Sequence, residues 1–255
     1  MAEFDYGEVV SALRGAGCVF AEEEADILIE SASSPAELTP LLERRIAGEP
    51  LEYIVGWVLF CGRRVTVEPG VFVPRRRTEF LVECAAALHP SVLLDLCCGS
   101  GAVGLSVGGV TELHAADIDA ASVDCARRNL DAMGATVHRG DLFDALPPEL
   151  HGRFDAVVVN APYVPTSDIE LMPREARDYE PRTALDGGAD GAGIHRRVAA
   201  GAGRWLHSGG HLLIETSAAL SDSTLDAVLE AGFTGQVRES EMFDAVVVIG
   251  STGGS

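Results

Sequence analysis

A chain of 255 residues, 47% of them hydrophobic, can bury the cores of one full α/β domain and a small companion. Its net charge of −20, from 39 acidic against 19 basic side chains, argues against broad contact with nucleic acid phosphates, so no direct nucleic acid binding is expected. No run of about 18 apolar residues and no basic leader at 1–10 is present, and the six cysteines form no C-x-x-C pair, which predicts a soluble cytoplasmic protein with neither a membrane span nor a structural metal.

Residues 1–50 read as helices with short breaks, from the near-helical spacing of Val9, Val10 and Leu13, of Ala25, Ile27, Leu28 and Ile29, and of Leu38, Leu41, Leu42 and Ile46. Ser33-Ser34-Pro35 and Thr39-Pro40 both suit helix starts. The acidic residues here read as a solvated face. Val58 and Phe60, then Val65 and Val67, flank Cys61-Gly62 and predict a β-hairpin, closed by a turn at Pro69-Gly70. Thr78 can cap a helix reaching about His89.

A regular alternation follows. Strands are predicted at 92–96, 112–117, 136–138, 154–159, 211–215, 235–238 and 245–249, with helices at 102–107, 120–133, 194–206 and 224–229 and a long loop after 159. This pattern means α/β architecture, a mostly parallel seven-stranded sheet covered on both faces. Only Ser251 to Ser255 reads as a loose tail.

Gly99-Ser100-Gly101-Ala102-Val103-Gly104 fits G-x-G-x-x-G between a strand and a helix, and Asp117 ends the next strand. Such a loop lets backbone approach a ligand closely, and the acid can accept from ribose hydroxyls. A dinucleotide or S-adenosylmethionine would fit. Asp95, at the strand tip, would repel a pyrophosphate but suits the methionine ammonium, which favours the methyl donor. Asp119 reads as a helix cap with ribose contact as its alternative, Cys97 and Cys98 shape the loop, and Asp141 and Leu142 are placed to flank an adenine.

Asn160-Ala161-Pro162-Tyr163 follows the apolar strand 156–159, where open α/β sheets place their chemistry. An amide or exocyclic amine nitrogen has a delocalised lone pair, so an enzyme must hold both N–H groups and aim the nitrogen at the methyl. The Asn160 side-chain oxygen and the Ala161 carbonyl can accept those two hydrogen bonds, Pro162 stiffens the turn, and Tyr163 can pack over the planar group.

The chain resembles the HemK/PrmC family of protein-(glutamine-N5) methyltransferases. The resemblance runs through Gly48-Glu49-Pro50-Leu51, Val73-Pro74-Arg75, Thr78-Glu79, Asp95 to Gly101, Asp117, Asn129, Asn160 to Tyr163, Glu180-Pro181, Ala184-Leu185 and Gly188 to Gly191. It implies a Rossmann-like class I methyltransferase using S-adenosylmethionine, preceded by a helical N-terminal domain that helps to hold a class I peptide release factor. The division would be 1–50 for the substrate-binding helices, 51–74 for the hairpin linker and 75–255 for the methyltransferase domain, in a monomer. The methyl acceptor would be the glutamine of a Gly-Gly-Gln motif. Asn160, Pro162 and Tyr163 would hold its amide, with Ala161 lending its carbonyl. Asp95, Cys97, Cys98, Gly99, Ser100, Gly101, Asp117, Asp141, Leu142 and Asn160 would bind the cofactor. Three positions depart from the family: Ala161 where Pro is usual, Arg76 where Pro is usual, and Cys97-Cys98 where Gly-Thr is usual. None removes a group the chemistry needs. The alternative activity is methylation of an amino group on a small metabolite or nucleobase.

Overall fold

The computed structural model describes residues 5–253. Four helices come first: α1 (Tyr6–Gly15), α2 (Ala21–Ser31), α3 (Pro35–Ile46) and α4 (Leu51–Val55). Asp5 caps α1 by accepting from the Glu8 N–H, and Pro35 opens α3, where its missing N–H costs nothing. Thr39-Pro40 starts no second helix, because α3 runs through it. Val9, Leu13, Ala25, Leu28, Leu38 and Ile54 form a core of these helices' own.

Strands β1 (Trp57–Phe60) and β2 (Arg63–Thr66) make the expected antiparallel hairpin. Cys61 and Gly62, both at positive φ, form its two-residue turn. Helix α5 (Glu79–Ala86) follows a short 3₁₀ turn at Arg76–Thr78 and stops before the expected end at His89.

The main sheet is built from β3 (Val92–Leu96), β4 (Glu112–Asp117), β5 (Thr136–Arg139), β6 (Phe154–Val159), β7 (Leu206–Thr216), β8 (Thr234–Ser240) and β9 (Ala245–Ser251). Its helices are α6 (Ala102–Ser106), α7 (Ala120–Leu130), α8 (Arg174–Tyr179), α9 (Gly193–Ala202) and α10 (Ser221–Glu230). The strand order is β5-β4-β3-β6-β7-β9-β8, with β9 antiparallel to both of its neighbours and the pairs from β5 to β7 parallel. Side chains alternate between two cores. Leu93, Ala115, Val158 and Leu213 belong to one face, and Leu94, Leu96, Ala116, Val157, Val159, Leu212 and Ile214 to the other.

Several boundaries differ from expectation: α7 ends at Leu130 rather than at 133, β7 begins at Leu206 rather than at 211, and α10 begins at Ser221 rather than at 224. The ninth helix ends at Ala202 rather than at 206, because Leu206 already pairs with Phe154 at the start of β7. Ser251 is the last residue of β9, and the Thr252 N–H donates to the Gly210 carbonyl, so that part of the expected tail is paired. Residues 254 and 255 lie outside the described residues. The order reverses at β3 and β6, and the crevice at their carboxyl ends is where such sheets bind ligands. Among the described residues no helix is long and apolar enough to cross a membrane.

Candidate active site

A cleft of about 1400 Å³ opens at this switch point, walled by residues of the 72–78 segment, the glycine loop, the tips of β4 and β6, and the 172–188 segment. It has two chemically distinct ends.

The first is built around the glycine loop. Asp95 is 2% exposed and accepts from the Gly104 N–H at 2.8 Å. The packing at Gly104 is tight: a Cβ there would lie 3.2 Å from Asp95 Oδ2 and 3.1 Å from Leu113, so those side chains would have to shift to admit one. Burial pushes the Asp95 carboxyl up to about 7, against the pull of the Gly104 amide. Asp117 accepts from the Gly99 N–H and the Asp119 N–H, each at 2.9 Å, so it shapes the loop as well as lining the cleft. Burial raises its pKa, and those amides lower it. Asp119 is the cap of α7, accepting from Ala121 and Ser122. Asn129 is a clamp: its Nδ2 donates to the Ser100 and Thr66 carbonyls and its Oδ1 accepts from the Thr66 N–H, tying the hairpin to the loop. Burial pushes both loop thiols, Cys97 and Cys98, upward, so neither is a ready nucleophile. Asp141 and Leu142 line the cleft, with Asp141 paired to Arg197 at 2.8 Å.

The second end contains Asn160, Ala161, Pro162 and Tyr163. Thr78 is buried at 2% exposure and caps no helix through its side chain; its hydroxyl accepts from Asn160 Nδ2 at 3.1 Å. That leaves Asn160 Oδ1 and the Ala161 carbonyl without a donor among the described residues. Tyr163 packs 6.2 Å from the buried ring of His195, which burial holds neutral with a pKa of about 4 and whose Nδ1 pairs with the Thr224 hydroxyl. The glycine-rich segment near 188 lies directly under this stretch: Val164 bridges to Asp186, and the Gly187 N–H donates to the Val164 carbonyl at 2.8 Å.

Three groups at this end were not singled out from sequence as site residues. Glu215 ends the apolar run of β7 with 1% exposure. Burial pushes its carboxyl up to about 7, opposed by the Thr78 hydroxyl, the Arg77 guanidinium and the Tyr163 hydroxyl. Thr78 is read from sequence as a helix cap and as part of the stretch that carries the resemblance, without a role in the site. Glu180 is buried and accepts from the Val73 N–H and, at 2.6 Å, from Arg75, joining the Val73-Pro74-Arg75 and Glu180-Pro181 segments across the cleft. An acid closing an apolar strand was the available signal for Glu215; it is the pattern that singled out Asp95 and Asp117.

The family model "Methyltransferase small domain" matches residues 62–175. A release factor glutamine methyltransferase of Geobacter sulfurreducens is 36% identical over 210 residues, 78% of this chain and 73% of that protein. Those of Neisseria gonorrhoeae and Streptomyces coelicolor are 37% and 34% identical, covering 76% and 73% of this chain and 73% and 69% of their own lengths. Among solved structures, a Pyrococcus furiosus methyltransferase superposes with a TM-score of 0.58 at 15% identity, over 75% of this chain and 90% of that one. A Thermus thermophilus 16S rRNA N2 methyltransferase, in complex with AdoMet and guanosine, gives 0.55 at 23% identity, over 77% and 49%. These two likenesses establish the class I fold. With identities of this size across more than two thirds of both chains, the protein belongs to the family of release factor glutamine methyltransferases, enzymes dependent on S-adenosylmethionine.

Proposed function

We propose that this chain methylates the side-chain amide nitrogen of a protein glutamine, and that the glutamine lies in the Gly-Gly-Gln motif of a class I release factor. The carrying observation is the pair of acceptors, Asn160 Oδ1 and the Ala161 carbonyl, on adjacent residues at the cleft, neither of which has a donor among the described residues. A primary amide has two N–H groups, and two fixed acceptors orient it as a single one cannot.

The donor set fits the cofactor. Asp95 and Asp117 sit at the tips of neighbouring strands, giving one buried carboxylate for an ammonium and one for a ribose diol. When bound, S-adenosylmethionine supplies an electrophilic methyl on sulfur. Asn160 and Ala161 hold the acceptor nitrogen in line, Tyr163 covers the planar group, and Pro162 limits the turn. Transfer would form an N–C bond as the sulfonium S–C bond breaks and the thioether product leaves; Asn160 Oδ1 and the Ala161 carbonyl would stabilise the positive charge then left on the amide. The amide proton then leaves to solvent. Ala161, where the family usually has Pro, is compatible with the assignment, because the group used is its carbonyl, which any residue offers.

The helices of 1–50 have their own core and meet α8 at the cleft rim through the Arg45–Glu175 ion pair. We assign them to holding the protein substrate, with 51–74 as the linker and 75–255 as the catalytic domain.

Labelled methyl donor, offered with a Gly-Gly-Gln release factor, tRNA, DNA and a metabolite extract in separate reactions, tests the reading. Label should appear on glutamine and vanish in Asn160→Ala. Transfer to nucleic acid or metabolite alone would overturn it.

A further inference from the structure

Glu215 is an acid where the fold has no structural use for one. It follows the apolar run of β7 at 1% exposure, it lines the cleft, and its Oε2 has no hydrogen-bond partner among the described residues. Glu180 gives the contrast. Its Oε2 is equally unpartnered, but its Oε1 holds Arg75 and the Val73 N–H and so joins two segments. A buried carboxyl without such a task costs stability.

Its place beside Asn160 follows from the register. Val159 pairs with Ile214 in the parallel β6–β7 ladder, so Asn160 and Glu215 are the next residues on adjacent strands. Backbones of paired strands run about 4.8 Å apart. Glu215 opposes Val247 across the β7–β9 ladder and lies two residues beyond Leu213, and both of these belong to the core on the α5 side of the sheet. The Asn160 side chain points the same way, since its Nδ2 meets the hydroxyl of Thr78, the residue before α5. The Glu215 carboxyl and the Asn160 amide therefore share one face of the sheet at the acceptor end of the cleft.

An amide nitrogen that gains a methyl while keeping both protons carries a full positive charge and is a very strong acid. Removing a proton in step with N–C bond formation avoids that species. Asn160 Oδ1 and the Ala161 carbonyl can hold the N–H groups but are too weakly basic to take a proton. A carboxylate beside Asn160 is not.

We propose that Glu215 is a catalytic base, whose carboxylate takes the proton of the substrate N–H held on the Asn160 side as the methyl arrives. The nitrogen lone pair forms the N–C bond, the sulfonium S–C pair stays on sulfur, and the N–H pair stays on nitrogen. The products are the N-methyl amide, the thioether and protonated Glu215, which passes its proton to solvent. The inference rests on the amide-acceptor reading given above.

The charged neighbours are few. Arg77, from the turn before α5, and the Tyr163 hydroxyl favour ionised Glu215, and Asp244 acts on Arg77. Both pKa values are raised, so Arg77 stays cationic and Tyr163 neutral between about pH 5.5 and 9. From β9 the facing residue is Val247. Asp95, on the same face two strands away, also titrates at about 7.

The test follows single-turnover methyl transfer to a Gly-Gly-Gln release factor from about pH 5.5 to 9, with S-adenosylmethionine saturating. Wild type, Glu215→Gln, Glu215→Asp and Asp95→Asn are compared, with cofactor affinity and melting temperature measured alongside. The wild-type rate should rise through about 7, where burial sets the Glu215 carboxyl, and then level off. Glu215→Gln should be slower by roughly 100-fold or more and lose the step, with cofactor affinity and folding maintained. Glu215→Asp and Asp95→Asn should each keep the step. Transfer by Glu215→Gln within about threefold of wild type, or a step that survives in Glu215→Gln and vanishes in Asp95→Asn, would overturn the base. If wild type labels no glutamine, the proposed function falls and the base with it; if wild type and Glu215→Gln label glutamine alike, the base alone falls.

Discussion

Gly191 lies so close under Tyr163 that a Cβ on it would stand 2.6 Å from the Tyr163 carbonyl oxygen, and its φ of +77° already lies in the left-handed region. The same Cβ would reach within 2.9 Å of Leu220. The glycine-rich segment is thus the floor on which the acceptor tetrapeptide rests. Gly191→Ala is expected to destabilise the fold by roughly 2–4 kcal/mol, combining left-handed strain with a backbone clash. Urea denaturation measures it, and a loss below about 0.5 kcal/mol would mean that the floor yields.

Assigning Asp95 to the ammonium of S-adenosylmethionine predicts that cofactor binding is linked to a proton. Its carboxyl is pushed up from 3.8 to about 7 by burial, so below that pH it is largely protonated. An ammonium docked against it favours the ionised form, and a proton must leave. Affinity for S-adenosylmethionine should therefore rise with pH up to about 7 and level off above it. Titration calorimetry at pH 6 in two buffers of different ionisation enthalpy should detect proton release, and Asp95→Asn should abolish it. Equal heats in both buffers for the wild-type protein would place the ammonium elsewhere.

Glu215 should cost the fold stability at high pH. Its ordinary pKa of 4.5 rises to about 7 in the folded chain, so between these values the folded state holds a proton that the unfolded state has lost. Stability from this group is therefore full below pH 4.5, declines as pH rises, and is lost above about 7. Glu215→Gln removes the penalty and should raise the melting temperature at pH 8.5 while leaving it little changed at pH 4.5, a difference on the order of a few kcal/mol. An equal shift at both pH values would show that the side chain is not titrating in this window.

Arg45 holds the helices of 1–50 to the cleft rim. It is 6% exposed and pairs with Glu24 at 2.6 Å and Glu175 at 2.7 Å, with a further hydrogen bond to the Glu49 carbonyl. Arg45→Ala leaves Glu24, itself mostly buried, without its counter-charge, and should cost about 3–5 kcal/mol. Hydrogen exchange should accelerate first in α1 to α3. If α9 and α10 loosen equally, the two regions unfold as one unit.

Much of this was legible from residue patterns, and the exceptions have physical reasons. The strands 92–96, 112–117 and 154–159 have the expected bounds, because each is a short, largely buried segment set between turns. The ninth helix was overrun because Trp205 and Leu206 extend an apolar spacing that pattern alone cannot distinguish from an incoming strand. Helix α8, at 174–179, was read as part of a long loop because it is short and mostly charged. Asp95 and Asp117 announced themselves by sitting beside a glycine motif. Glu215 has the same strand-closing position without the motif, and Thr78 looked like a cap because a hydroxyl before a helix usually is one. That its hydroxyl instead meets the Asn160 amide, 82 positions away, is a tertiary fact.

The cofactor loop is gripped through its main chain: the Cys98 N–H donates to the Ala116 carbonyl, the Gly99 N–H to Asp117, and the Ser100 carbonyl accepts from Asn129. The side chains that hold it therefore lie elsewhere in the sequence. A change at 117 or 129 would therefore unhook the loop without touching a single one of its residues.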